Sequence, residues 1–462
     1  KDTGDTLAWI MVLVFVPYFG FILYLILGFD GKKHLVFKEK SSNDYMLYKQ
    51  FLEMPINGLQ FSQDQISKLT SKNVLNIPGT ERINDLIHLN YISANSTITS
   101  NNEVTSIYTD GNKKFEALIK DINNAKEFIH MEYYIVRNDD LGKRILNSLT
   151  DAVKRGVEVK FIIDGMGCQF TSKKLFVPFK KAGGELGVFL PPMAIRINYR
   201  DHRKLCIIDG KIGYIGGLNI GDEYLGKTKR YGNWRDSHIK IRGDAVRDLE
   251  LRFIMDWNFC SKNEIYDFEK YIRPSPKLKS KVNMQIVSSG PDTKWSSIQF
   301  SIFKMICEAD KNIFIQTPYF IPDESILEAL RIQALSGIDV RIVIPANPDH
   351  PFVYGASISH LGMLLESGVK CYQYTNGFLH SKLIMIDSLV TTVGTANMDI
   401  RSFKLNFEVN AFIYDRTITR VFEKDFIKDL EDCSEITIES YNNRSLFSKV
   451  KESFSRLLSP LL

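Results

Sequence analysis

The sequence has no CxxC pair and no cysteine–histidine cluster. Its six cysteines, Cys168, Cys206, Cys260, Cys307, Cys371 and Cys433, are scattered along 462 residues. Zinc ribbons need ligands at short fixed spacings, and disulfide scaffolds need dense cysteine, so both classes are excluded. Isolated thiols fit a reducing, cytosolic compartment for the bulk of the chain. Charge of one sign is also scarce. The 59 basic and 54 acidic residues leave +5, too weak a balance to imply a nucleic-acid partner. Disordered composition is absent, since 44% hydrophobic and 24% charged residues is ordinary globular usage.

One stretch lacks charge altogether. Between Thr6 and Phe29 the chain reads LAWIMVLVFVPYFGFILYLILGF. A bilayer takes about 20 apolar residues, so the run predicts a transmembrane helix that tolerates Pro17. Lys32, Lys33, His34, Lys38 and Lys40 follow it, whereas Lys1, Asp2 and Asp5 precede it. The positive-inside tendency places the carboxyl-terminal bulk on the cytoplasmic side. Because the chain opens on Lys1, a further upstream segment, such as a first membrane helix, is expected.

The rest of the chain repeats itself. KEFIHMEYYI (126–135) resembles KNIFIQTPYFI (311–321), and GVEVKFIIDG (156–165) resembles GIDVRIVIPA (337–346). A helical pattern precedes the second segment in each case, which reads as β-α-β and predicts an α/β fold of two similar halves. The divisions expected are 1–40 for the membrane segment and basic flank, and 41–102 for a linker. The first half covers 103–262, a connector 263–285, the second half 286–440 and an amphipathic tail 441–462.

The sharpest repeat is HRKLCIIDGKIGYIGGLN, from His202 to Asn219, against HSKLIMIDSLVTTVGTAN, from His380 to Asn397. His, Lys, Asp, Gly and Asn all recur at one offset, 380 − 202 = 178. Side chains alternate along a strand, so His202 and Lys204 share a face about 6–7 Å apart, as do His380 and Lys382. Asp209 and Asp387 have the opposite parity and end their strands, so bracing the fold is their expected part. An imidazole beside an ammonium suits an anionic substrate. With pKa values near 6.5, one histidine can be neutral and attack phosphorus while the other, protonated, serves the leaving alcohol. Lys204, Lys382, Asn219 and Asn397 can stabilise the equatorial oxygens. No carboxylate-rich cluster lies near the motifs, and this chemistry calls for no metal or other cofactor. Each half holds half of this site, so the two copies must face each other.

HxKx4D followed by Gly and Asn resembles the HKD motif of the phospholipase D superfamily. Within it, EYYIVRND, RINYRDHRK, WRDSHIKIRG, SGPD, TPYFIPD, DHPFVY, GFLHSKLIMID and ANMDIRSFKLNFE are similar to the bacterial cardiolipin synthase family. Asp201 stands where that family usually has Asn. The resemblance implies two α/β/α halves about one site, with His202, Lys204, Asp209, His380, Lys382 and Asp387 as its catalytic motif. It implies His202 as nucleophile through a phosphatidyl-histidine and His380 as acid/base. Glu408 and Asp236 join Asn219 and Asn397 among the substrate-site groups, the carboxylates by holding the imidazole rings. It also implies phosphatidylglycerol as substrate and a bacterial plasma membrane as location. Hydrolysis of phospholipid by the same residues, cleavage of nucleic acid and a non-catalytic membrane scaffold are the rival readings.

Weaker candidates are Glu132, Tyr133, Tyr134, Thr317, Pro318 and Tyr319 at strand ends, and Arg196, Arg200 and Arg203 as headgroup ligands. His350 is a marginal candidate. His34, His88, His130 and His238 read as structural. The tail places Leu446, Phe447, Val450, Phe454, Leu457 and Leu458 at helical spacing with Lys449, Lys451 and Arg456 between them, the pattern of a helix lying on an anionic membrane.

Overall fold

A computed structural model describes residues 3–24, 31–53, 81–191 and 198–457. Arg196, the end of the apolar run (residues 25–29) and the last five residues, Leu458 among them, lie outside the described residues.

The apolar run does not form one helix. Helix α1 (Thr3–Phe15) stops, and α2 (Pro17–Leu23) begins, at Val16. Val16 has φ −137° and ψ 63°, outside the helical region, and Pro17 takes the first helical position of α2. Proline disfavours helical backbone at the residue before it and suits a helix start. Trp9 and Tyr24 meet edge to face at 5.4 Å. Among the described residues no helix is long and apolar enough to cross a membrane. Helices α3 (Gly31–Glu53) and α4 (Glu81–Ala94) follow. Lys40, read from sequence as a flanking charge, is instead buried. Its Nζ meets Asp44, Asp256 and Asp292 at 2.7, 3.1 and 3.0 Å, because α3 packs onto the catalytic body.

The first half contains β1 (Asn102–Tyr108), α5 (Gly111–Asn124), β2 (Phe128–Tyr133), α6 (Asp140–Lys154), β3 (Glu158–Asp164) and β4 (Glu185–Phe189). A two-residue strand β5 (Arg200–Asp201) leads to β6 (Lys204–Ile208), β7 (Ile212–Gly216), β8 (Trp234–Arg235), β9 (His238–Gly243) and α7 (Ala245–Cys260). The second half contains β10 (Asn283–Ser289), α8 (Ser297–Cys307), β11 (Asn312–Gln316), β12 (Phe320–Ile321), α9 (Glu324–Leu335), β13 (Asp339–Pro345), α10 (Pro351–Leu365) and β14 (Lys370–Tyr374). There follow β15 (Phe378–Leu379), β16 (Leu383–Ile386), β17 (Val390–Gly394), β18 (Met398–Asp399), α11 (Ile400–Lys404), β19 (Asn406–Tyr414), α12 (Arg416–Leu430), β20 (Cys433–Ile436) and α13 (Leu446–Leu457).

The sheet orders reveal the duplication. One sheet runs β1-β9-β7-β6-β2-β3-β4 and the other β10-β19-β17-β16-β11-β13-β14, with β20 added at its edge. In both, the β-α-β pair is parallel and the motif strand runs antiparallel beside it. Aspartates before the helices cap them: Asp110, Asp139 and Asp323 accept from Lys113, Gly142 and Ile326 backbone N–H groups. The central core takes side chains from both sheets, Leu205, Ile207 and Ile215 packing with Leu383, Met385, Val393 and Val409. Each such fully buried side chain contributes roughly 1.5–3 kcal/mol. That shared core is what presses the two motif strands together.

Candidate active site

The histidines sit on short strands that pair across the halves. Strand β5 runs parallel to the start of β19, and the His202 N–H donates to the Phe407 carbonyl at 2.9 Å. Its counterpart β15 runs parallel to β8, and the His380 N–H donates to the Arg235 carbonyl at 2.7 Å. The Ser237 and Ser381 hydroxyls meet at 2.7 Å across the same junction. Each motif is therefore tied by backbone to the opposite repeat.

The carboxylates follow the same crossing. His202 Nδ1 lies 2.9 and 3.0 Å from the two oxygens of Glu408. His380 Nδ1 lies 2.7 Å from Asp236 Oδ2. Asp236 and Glu408 are fully buried, so they bind the imidazoles and do not face a substrate directly. Burial pushes both carboxyls up, but His380 and Lys382 outweigh it at Asp236, and His202 and Lys204 at Glu408, so both stay below the usual range. Ionised partners on Nδ1 fix the tautomer and leave Nε2 of each ring for phosphorus chemistry. Lys382 Nζ also lies 2.9 Å from His380 Nδ1. The anionic Asp236 is the nearer partner and accepts the hydrogen bond from the Nδ1–H of His380, while Lys382 donates to the His380 carbonyl at 2.6 Å. Lys204 Nζ likewise donates to the His202 carbonyl at 2.5 Å.

The lysines and histidines form one electrostatic unit. Burial pushes Lys204 down to about 7 and Lys382 down to about 8. Burial also pushes His202 and His380 down to about 4, with Lys204 and Lys382 adding to the fall and Glu408 and Asp236 opposing it. In the unliganded site both imidazoles are held below neutrality, because both are buried beside cations.

Asp209 and Asp387 occupy left-handed turn positions, φ 54° and 55°. Asp209 accepts from the backbone N–H groups of Lys126, Glu127 and Phe128, and Asp387 from those of Asp310, Lys311 and Asn312. Both carboxylates tie the motif hairpin to the start of the neighbouring strand and present no group to the histidines. Asn219 accepts from Ile135 N–H and donates to the Tyr224 hydroxyl, so its amide braces the strand end. Asn397 differs: its Oδ1 is buried without a hydrogen-bond partner among the described residues.

Of the weaker candidates, Tyr134 meets His202 edge to face at 5.0 Å. Tyr133 accepts from buried Lys114, and Thr317 accepts from Met398 N–H, both inside the fold. Glu132 is fully buried, and burial first, then the neighbouring Asp201, pushes its carboxyl well up. Tyr319 bonds Asp349, and His350 lies exposed beside it. Arg203 is buried on Asp256 at 2.7 Å and cannot reach a headgroup, whereas Arg200 is half-buried. His130 pairs with Glu250 at 2.6 Å and is structural. Trp234, 5.2 Å from His380, was not legible from the motif. The aromatic WRD run beside Asp236 was the available signal.

Two imidazoles, each held by an ionised carboxylate and flanked by a lysine, across a duplicated α/β scaffold, define a phospholipase D-type phosphoryl-transfer site. Family models agree: "cardiolipin synthase, PLD-like domain" matches residues 118–257 and 302–430, and "phospholipase D-nuclease N-terminal" matches residues 1–28. The chain belongs to the cardiolipin synthase family of the phospholipase D superfamily. It is 46% identical over 470 aligned residues to the cardiolipin synthase of Listeria monocytogenes serotype 4a, covering 100% of this chain and 94% of that one. It is 46% identical over 467 residues to that of Staphylococcus aureus strain Mu50, covering 100% and 92%. Among solved structures, phosphatidylserine synthase of Haemophilus influenzae shares the fold at TM-score 0.63 and 15% identity, over 82% of this chain and all of that one.

Proposed function

We propose that the protein moves a phosphatidyl group from one phosphatidylglycerol to another, giving cardiolipin and glycerol. In the first step, His202 Nε2 attacks phosphorus. A P–N bond forms, the P–O bond to the headgroup glycerol breaks, and His380 gives that oxygen its proton. In the second, His380 takes a proton from a hydroxyl of the second phosphatidylglycerol. That oxygen attacks phosphorus and the P–N bond breaks. The order of the histidines follows the HKD resemblance.

The crosswise clasp of His202 by Glu408 and His380 by Asp236 carries this reading, because it leaves Nε2 of each ring uncommitted at the junction of the repeats, where each histidine also feels the other motif's lysine. A phosphodiester between Lys204 and Lys382 supplies the negative charge that favours imidazolium at His380. Asn397, whose buried Oδ1 has no hydrogen-bond partner among the described residues, is the amide this reading gives to an acceptor hydroxyl. Transfer requires that water be kept from the intermediate, and the histidines are only 8% and 7% exposed.

The reading places the site at a membrane surface on the cytoplasmic side. Val14, Phe15, Tyr18 and Phe19 of the broken N-terminal helix pair are exposed and apolar. On α13, Leu446, Phe447, Val450 and Phe454 form an exposed apolar arc, while Glu452 and Ser455 pack toward Gly355 of α10. Lys449, Lys451 and Arg456 flank the arc, which suits an anionic interface.

The test is incubation of the full chain with phosphatidylglycerol vesicles and separation of the lipid products. Cardiolipin with free glycerol is expected. Phosphatidic acid as the main product would replace transfer with hydrolysis.

A further inference from the structure

Arg200 and Arg401 have carboxylates in their neighbourhood, Asp164 and Asp399, but among the described residues neither carboxylate comes within ion-pair distance. Arg200 lies on β5, where it registers with Asn406 of β19. Arg401 lies on α11 of the other half and crosses to donate from Nη2 to the Asn198 carbonyl at 3.1 Å. Arg200 donates to the Tyr199 carbonyl at 2.9 Å and also bonds the Tyr134 hydroxyl. Among the described residues neither guanidinium forms an ion pair. Buried arginines elsewhere in the catalytic body do: Arg203 and Arg252 meet Asp256, and Arg235 meets Asp429. The acidic groups facing this spot are engaged elsewhere. Asp399 caps α11 through Ser402 N–H, and Asp164 accepts from the backbone of Met166, Gly167 and Asp201.

The two cations are close enough to oppose each other. Burial first, and then the charge of Arg200, holds Arg401 below its ordinary range. Both act on the Tyr134 hydroxyl, whose ring meets His202 edge to face at 5.0 Å and lies 5.4 Å from Lys204 Nζ. Like charges gathered in a part-buried place are unfavourable unless an anion joins them. Paired guanidinium forks suit phosphate oxygens.

We infer that Arg200 and Arg401 form a second anion site that holds the non-reacting phosphodiester of the acceptor phospholipid beside His202. The inference rests on the transferase reading, whose chemistry brings two phosphodiesters together. Lys204 and Lys382 take the one under attack. The other belongs to the acceptor and is separated from its attacking hydroxyl by a glycerol unit. A site one aromatic ring away from the nucleophile holds that phosphate while the hydroxyl reaches phosphorus. Water and simple alcohols carry no phosphate and gain nothing from it, so the pair selects a phospholipid acceptor.

The experiment uses the full chain on phosphatidylglycerol vesicles with ethanol added, reading cardiolipin and phosphatidylethanol in one reaction. Arg200→Gln and Arg401→Gln are each expected to lower the ratio of cardiolipin to phosphatidylethanol about tenfold or more, as loss of a charge-assisted hydrogen bond does. Arg401→Lys is expected to recover part of that ratio. Equal loss of both products would place the arginines on the donor or in the fold and overturn the inference, as would an unchanged ratio. Absence of cardiolipin from the unsubstituted protein would overturn the transferase reading first, and this inference with it.

Discussion

Glu408 holds His202 through both carboxylate oxygens, at 2.9 and 3.0 Å, although the two residues belong to different repeats and lie 206 positions apart. Asp236 holds His380 in the mirrored sense at 2.7 Å, 144 positions away. Neither half can orient its own histidine. The protein is a working unit only when the halves are docked, which explains why so large a core joins the two sheets.

Removal of either carboxylate tests that clasp. Glu408→Gln and Asp236→Asn should each lower kcat by about 10²–10⁴ while the fold persists, since the ring loses its tautomer and its imidazolium partner. Product assays with circular dichroism on the same samples check this. A loss smaller than tenfold would show that the ring orientation is set by packing alone.

The histidines should be separable by their intermediates. His202→Ala should abolish turnover and leave no covalent lipid adduct. His380→Ala should abolish turnover but slow breakdown of an adduct on His202. Mass spectrometry of the acid-quenched protein reads the difference. An adduct on His380 in the His202→Ala protein would reverse the assigned order.

The pH dependence follows from burial. Lys204 and Lys382 titrate at about 7 and 8, so kcat/KM for the anionic lipid should fall as pH rises through 7–9 and the cations are lost. His202, pushed down to about 4, remains a neutral nucleophile until the pH approaches that value, which sets the acid limb. Rates across pH 4–10 check both limbs. A plateau extending from pH 8 to 10 would remove the lysines from substrate binding.

Asp209→Ala should act on stability. Its carboxylate accepts three backbone N–H groups at the start of β2, and orphaning them costs about 1–3 kcal/mol. The melting temperature should fall while kcat of the folded protein stays within about threefold. A thousandfold loss of kcat at normal stability would make Asp209 part of the chemistry.

Glutamate at Phe447 and Phe454 should release α13 from lipid. Both rings are exposed, at 79% and 55%, so the fold gives up little. Flotation with phosphatidylglycerol vesicles should fall severalfold for the double variant, and residual binding should become more salt-sensitive. Unchanged flotation together with loss of a self-associated species would mark the arc as a contact between copies of this chain.

The sequence by itself determined the repeat, the strand-helix-strand order and the pairing of His with Lys, because a period of two and a fixed offset of 178 residues are local arithmetic. It also placed Asp209 and Asp387 in bracing positions through strand parity alone. Three matters only tertiary structure decided. Glu408 and Asp236 could be named but not assigned to opposite histidines, because the exchange arises where β5 meets β19 and β15 meets β8. Lys40 and Arg203 looked like surface charge, and only packing of α3 and α7 buries them among Asp44, Asp256 and Asp292. The apolar run was long enough to span a bilayer, yet Val16 and Pro17 divide it. Chain order fixes which groups lie on one face of one element. Which faces meet, and hence which charges lose water and which find partners, is fixed only when the two sheets close on their common core.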